Sequence, residues 1–206
     1  MSRLIDLSHE IRSAMPVYPG DEPTELVQTR FLAEDQHNNH RLVIGMHSGT
    51  HLDAPLHMLG EGACIADLPL ESFTGPGCLL DVRGQAVIRW QPDYGDIVRP
   101  GSVVLLYTGH DRFFGEPRYF ADHPCVDEEF CARLIEKKAR LLGMDLPSPD
   151  RPPFRVHQAL LRSGIYLLEN LTRLDQLLGV RDFEVIALPL KLQADGSPVR
   201  AVARLS

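Results

Sequence analysis

Four short apolar runs constrain this chain more than any other feature: "GCLLDVRG", "GSVVLLYTG", "ARLLGMDLP" and "IYLLEN". Each is a few residues long and bounded by glycine, asparagine or an acidic residue, the pattern of buried strands. A sheet core follows from them. "RLIDLSHEI" opens the chain as a short alternating strand, and "LVQTRFLA" alternates in the same way. "HRLVIGMHSGTHLD" contains a further strand, and "FEVIALPLKL" and "VRAVARL" flank "QADGSP", a hairpin turn signal. Between strands, "MPVYPGDEP" (15–23) reads as an irregular loop, because three prolines restrict its backbone and Gly20 permits a turn.

Helices are fewer. Residues 127–138 form one: Asp127 caps it, Glu128 and Glu129 sit in its positive first turn, and Lys137 and Lys138 lie at its negative end. Phe130, Leu134 and Ile135 give it an apolar stripe. "FRVHQALLRSG" reads as a short helix stopped by Gly164, and "LTRLDQLLG" as another closed by Gly179. "YFADHP" reads as a loop before the helix at Asp127, ended by Pro124. No linker or repeat divides the 206 residues, so the expectation is one α/β domain with a largely β core over residues 1–206.

Composition narrows the partners. The balance of 21 Lys+Arg against 28 Asp+Glu gives a formal charge of −7, whereas nucleic-acid binding calls for a basic stripe. No apolar run has the length to span a bilayer, and Met1 to His9 hold no apolar signal core. Cys64, Cys78, Cys125 and Cys131 form no C-x-x-C pair, so they read as buried or free thiols in a reducing compartment. The expected setting is a cytoplasmic protein acting on a small molecule, with neither nucleic acid nor membrane as partner.

The chemistry concentrates in "HSGTHLDAPLH", His47 to His57, which holds three of the nine histidines. His47, His51 and Asp53 are all odd positions, so an extended backbone would turn two imidazoles and a carboxylate to one face. A helix would also pair His47 with His51, but Gly49 and Pro55 make that reading poor. Two histidines and a carboxylate are a standard set for a catalytic divalent ion, zinc keeping one position for water. Manganese or iron accepts the same set. His57 serves either as a further ligand or as a general acid/base. Thr50 either orients a neighbour through its hydroxyl or caps a turn. Glu169, at the end of "IYLLEN", needs a partner for its charge, which a metal, a proton or a salt bridge would supply. His157 lies in a short predicted helix. His9, His37 and His110 stand alone among neighbours that are not ligands.

These residues resemble the metal-dependent cyclase family, whose signature is H-x-G-T-H-x-D-x-P-x-H. "DLSHEI…MPVYPGDEP", "LLGMDLPSPD", "ENL" and "FEVIALPLKLQADGSPVRAVA" extend the resemblance over nearly the whole chain. It implies a swivelling β/β/α fold, assembled as a homodimer or a homotetramer. It implies that His47, His51 and Asp53 hold a first metal, with Asp53 bridging to a second held by His157 and Glu169. The ions are Zn²⁺, one or two per subunit, with Mn²⁺ as the other option. It also implies that His57 donates and accepts the proton. Formamidases of the family carry Trp before Pro-Gly-Asp in their N-terminal segment. Tyr18 takes that place here and can still stack on an aryl ring.

The activity expected is metal-dependent hydrolysis of an amide, with N-formylkynurenine, cleaved to kynurenine and formate, as the leading substrate. Tyr18, with Phe31 and His40, would line an aryl pocket. One alternative is a hydrolase of another small cyclic or acyl substrate, such as an isatin-like lactam. Another is a metal- or ligand-binding protein without turnover, although the extra histidine at His57 argues for catalysis.

Overall fold

The structure, a computed structural model, describes residues 3–205. Its strands are β1 (Arg3–Asp6), β2 (Glu25–Arg30), β3 (Asn39–Val43), β4 (His51–Asp53), β5 (Thr74–Asp81), β6 (Val87–Ile88) and β7 (Val103–Tyr107). There follow β8 (Cys125–Val126), β9 (Leu141–Met144), β10 (Tyr166–Glu169), β11 (Phe183–Ile186), β12 (Gly196–Pro198) and β13 (Val202–Leu205). The helices are α1 (Leu32–Asp35), α2 (Tyr94–Ile97), α3 (Pro117–Ala121), α4 (Glu128–Glu136) and α5 (Arg155–Arg162). Nine strands join into one mixed sheet in the order β1-β13-β11-β5-β7-β9-β10-β4-β12, while β2-β3 and β6-β8 form separate pairs. Strands β5, β7, β9 and β10 run parallel, and β4 and β12 close that end antiparallel.

The four apolar runs are the parallel centre of this sheet, and alternate residues explain why they look continuous. Val104, Leu106, Leu142, Met144 and Leu167 face one buried cluster, under Phe130 and Leu134 of α4 and Val156 and Leu160 of α5. Val103, Leu105, Leu141 and Leu168 face a second cluster, with Leu52, Phe73, Leu174 and Phe183. A strand covered on both faces has no polar side to show. Each buried leucine or phenylalanine contributes about 1.5–3 kcal/mol relative to exposure. The expectation of a single α/β domain with a β core therefore holds. No helix among the described residues is long and apolar enough to cross a membrane.

Several local expectations change. "HRLVIGMHSGTHLD" is not one strand: β3 belongs to the separate hairpin and β4 to the large sheet, with a turn between them where Gly49 has φ +64°. β2 ends at Arg30, and the rest of "LVQTRFLA" bends into the single turn of α1. "LTRLDQLLG" makes only a 3-10 turn over Leu174–Leu177. "YFADHP" is not all loop, since Tyr119 lies in α3 and is fully buried. The "QADGSP" hairpin exists as β11 against β13, but its tip leaves to pair with β4 through β12. Met1, Ser2 and Ser206 lie outside the described residues, so the N-terminal reading is tested only from Arg3 onward.

Candidate metal centre

Register builds the site. In the antiparallel pair of β10 and β4, Leu167 lies opposite Asp53 and Glu169 opposite His51. Leu52, between the two ligand candidates, points into the second cluster. Alternation then turns His51, Asp53 and Glu169 to the other face, the face covered by α5. His157, one turn into α5, meets them there. Its Nε2 is 3.5 Å from Asp53 Oδ2 and 3.2 Å from Glu169 Oε1. His51 Nε2 is 3.3 Å from Asp53 Oδ1 and 3.5 Å from Glu169 Oε2.

His47 arrives differently from the expectation. It sits in the turn before β4 rather than on an extended strand, and Gly49 at positive φ makes that turn possible. Its Nδ1 lies 2.8 Å from Asp53 Oδ1. Its ring rests where a side chain at 196 would be: a Cβ on Gly196 would come within 2.8 Å of His47 Cε1 and of the Leu52 carbonyl oxygen. His57 follows Pro55 in a 3-10 turn, and its ring stacks on His47 with centroids 3.8 Å apart.

Two ligand-like groups result, His47–Asp53–His57 and His51–Asp53–Glu169, each with ligand atoms within 4.8 Å of one another. Asp53 belongs to both. His51 Nε2, Asp53 Oδ2 and Glu169 Oε1 are buried without a hydrogen-bond partner, although they lie within ion-pair reach of neighbours. Such atoms cost about 1–3 kcal/mol each when left unmet. Carboxylate oxygens and imidazole nitrogens converging on one spot are the donor set of a divalent cation, and the residues present fit one.

Neighbouring acceptors fix the imidazoles. His51 Nδ1 lies 2.8 Å from the Gly49 carbonyl, so it keeps a proton, and Nε2 is the nitrogen that can offer a lone pair toward Asp53 and Glu169 once its own proton leaves. His157 Nδ1 lies 2.7 Å from Asp150 Oδ1, with the same consequence. Asp150 also accepts from the Val156 backbone N–H at 2.7 Å, which ties the start of α5 to the site. The Thr50 hydroxyl donates to the Asn170 carbonyl at 2.6 Å and accepts from the His9 backbone N–H, so it orients neighbours. The Asn170 amide donates to the Gly49 carbonyl and accepts from the Tyr119 hydroxyl.

The charges follow from this packing. Burial alone would pull His51 down, but the Asp53 and Glu169 carboxylates outweigh it and push it up to about 10. Against the same burial, Asp150, Asp53 and Glu169 raise His157 well above the usual range. Burial would raise Asp53, yet His157, His47 and His51 hold its carboxyl well below the usual range. In His57 burial wins and lowers the imidazole, which keeps it neutral near pH 7.

The cluster floors a cavity of about 430 Å³ whose walls include Tyr18, Met58, Phe120 and Phe154. That volume suits a small molecule. Tyr18 meets Phe120 edge-on at 5.8 Å, and Phe154 meets His157 edge-on at 5.8 Å. Phe31 and His40 do not line this cavity: they are exposed on and beside the β2–β3 hairpin. A larger open groove of about 1000 Å³ between β5, β11 and residues 96–102 holds no ligand-like cluster among the described residues.

Asp150, Asp195, Asn170, Phe120 and Phe154 escaped the sequence reading. Asp195 sits in "ADGSP", where turn chemistry already accounts for an aspartate, and Asp150 in "PSPD" lies seven positions before His157. His47, His51, Asp53, His57, His157, Glu169 and Tyr18, all singled out from sequence, are brought together at this cavity.

Comparison with known proteins bears on the site. The Cyclase family profile matches residues 5–151. A kynurenine formamidase of Bacillus mycoides (strain KBAB4) is 33% identical over 211 residues, covering 98% of each chain. The structure of isatin hydrolase A from Labrenzia aggregata superposes with a TM-score of 0.87 at 24% identity, covering 99% of this chain and 94% of that one. A structure described as a potential metal-dependent hydrolase with cyclase activity superposes with a TM-score of 0.78 at 26% identity, over 100% and 99% of the two chains.

Proposed function

The chain belongs to the Cyclase family, and from that premise and the site's geometry we propose that it is a metal-dependent hydrolase of carbon–nitrogen bonds in small amides. Aryl formamides of the N-formylkynurenine type are the leading substrates. One observation carries the reading: buried ligand-type atoms of His51, Asp53 and Glu169, none with a hydrogen-bond partner, converge at the floor of an aromatic-walled cavity. The name of the formamidase relative supports the choice of substrate.

His47, His51, Asp53, His157 and Glu169 are the residues that would hold one or two divalent ions, zinc first and manganese as the alternative. The chemistry a divalent cation supplies at such a site is Lewis-acid activation of water and of the amide carbonyl. The protein's own residues do the rest. Tyr18, Phe120 and Phe154 offer ring faces and edges to an aryl group and exclude water around it. His57, neutral and at the cavity wall, takes the proton from the attacking water and returns it to the leaving nitrogen.

A specific observation favours a second substrate class. No lysine or arginine lines the cavity among the described residues, whereas Asp21 and Asp195 do. A kynurenine-type tail is a zwitterion: Asp21 or Asp195 could meet its ammonium, but its carboxylate would find no lysine or arginine on these walls. An uncharged lactam or simple formanilide avoids that mismatch.

The test is hydrolysis of N-formylkynurenine, formanilide and isatin by zinc- and manganese-loaded protein and by chelated protein. Metal-dependent release of formate or opening of the lactam is expected. His57→Ala should keep its metal and lose about 10²–10⁴-fold in kcat. A fully active His57→Ala variant, or activity indifferent to chelation, would overturn the assignment. The same reading includes a homodimer or homotetramer, supported by the exposed apolar hairpin of β2 and β3.

A further inference from the structure

We propose that Asp195 is a positioning residue that fixes His47 and His57 together through a single carboxylate oxygen. The inference rests on the hydrolase reading for its kinetic consequence, though not for its geometry.

Asp195 Oδ2 lies 2.9 Å from His47 Nε2 and 3.3 Å from His57 Nδ1. One carboxylate oxygen has two lone pairs, so it can accept from both rings. A carboxylate only accepts, so each nitrogen facing it must carry the hydrogen. His47 faces a carboxylate through each nitrogen, with Nδ1 2.8 Å from Asp53 Oδ1, so without a cation both carry hydrogen. When a cation takes the cluster, the hold of Asp195 on Nε2 makes Nδ1 the nitrogen that gives its hydrogen up. For His57 it leaves Nε2 unprotonated, the state a proton acceptor requires. Either ring flipped or in its other tautomer would present a hydrogen where a lone pair is needed.

The backbone at Asp195 is built to hold this position. Its carbonyl accepts from the Ala54 N–H at 2.9 Å, and the Ala194 carbonyl accepts from the Ile65 N–H at 2.9 Å. Gly196, the next residue, pairs with Asp53 across β12 and β4. The carboxylate therefore sits immediately before β12, the strand that flanks β4. The two rings that it contacts lie against each other, their planes tilted by 31°. Outer carboxylates of this kind set the tautomer and orientation of a ligand imidazole. Here one carboxylate serves a ligand candidate and the proton-transfer histidine at once.

The experiment uses the zinc-loaded full chain with histidine nitrogens labelled. In the parent protein, His57 is expected as the Nδ1–H tautomer by nitrogen-15 NMR. In Asp195→Ala it should become a mixture of tautomers, and zinc affinity should weaken by about 10–100-fold. On a hydrolysed aryl amide or lactam, kcat should fall by about 10–100-fold with KM little changed. In a His57→Ala background the same substitution should cost less kcat than it does in the parent, because the part exerted through His57 is already gone, while the loss of zinc affinity through His47 persists. An unchanged His57 tautomer, or losses that multiply in the double variant, would overturn the proposal. Should Asp195→Ala fail to fold, Asp195→Leu fills a similar volume with no acceptor and carries the same tautomer readout, with an unchanged tautomer again overturning it. The NMR and zinc measurements need no substrate, so protein inactive on every amide would sink the hydrolase reading and still test Asp195.

Discussion

Asp53 is the residue on which the site turns, since both ligand-like groups share its carboxylate and three imidazoles lie around it. Without a cation, protons on those imidazoles balance the buried negative charge. His51, pushed up to about 10, is protonated at neutral pH in that state and must lose its proton to offer a lone pair. Zinc uptake is therefore expected to release protons, and affinity to fall with decreasing pH by about tenfold per unit for each proton displaced. Titration calorimetry in buffers of different ionisation enthalpy checks this, and uptake without proton release would remove the imidazoles from the ligand set. At this scale the sequence was legible where the candidate site residues are neighbours in the chain. His47, His51, Asp53 and His57 fall inside eleven residues, with glycine and proline shaping the backbone between them. Asp150 and Asp195 were illegible because each touches a histidine only after folding, His57 being 138 positions from Asp195.

At the scale of elements, local chemistry predicted α4 well because its cap is local. The Asp127 carboxylate accepts from the Phe130 N–H at 2.8 Å, as an N-cap should. Asp127→Ala is expected to lower stability by about 1 kcal/mol in a denaturant titration while leaving amide hydrolysis unchanged. A loss well above that figure, or a loss of activity, would give Asp127 a role beyond capping. The opposite case is "LTRLDQLLG", whose leucines suggest a helix but make a single 3-10 turn. Leu174 and Leu177 are both buried in the cluster beneath the sheet, and Arg173, at φ +60°, breaks any helix entering from before it. Burial of two side chains decided that segment over its periodicity. The break between β3 and β4 has a similar origin. A consecutive apolar run, Leu42 to Ile44, leads toward the motif, but the two strands belong to different sheets, and nothing in such a run records which partner a strand will find.

For the whole molecule, the β2–β3 hairpin is the part with no core of its own. Leu26 lies opposite Leu42 across it, and Val27, Phe31, Leu32 and Val43 are also exposed. A two-stranded hairpin is marginal in water without a face to rest on. Light scattering is expected to give a mass at least twice 23.1 kDa. The paired change Leu26→Asp and Leu42→Asp should shift it toward the monomer, and a parent protein already monomeric would refute the assembly. The sequence by itself determined the β core, since runs of leucine and valine without polar alternation can only be satisfied by burial on both faces. It also marked the candidate cluster at His47 to His57, because those residues are held close by the chain itself. Only the tertiary structure decided the rest of the site. The register of β10 on β4 set Glu169 beside His51, α5 brought His157 to them, and the pairing of β12 on β4 brought the preceding Asp195 within reach of two rings. Those contacts arise from strand pairing and helix packing between distant segments, which residue spacing does not encode.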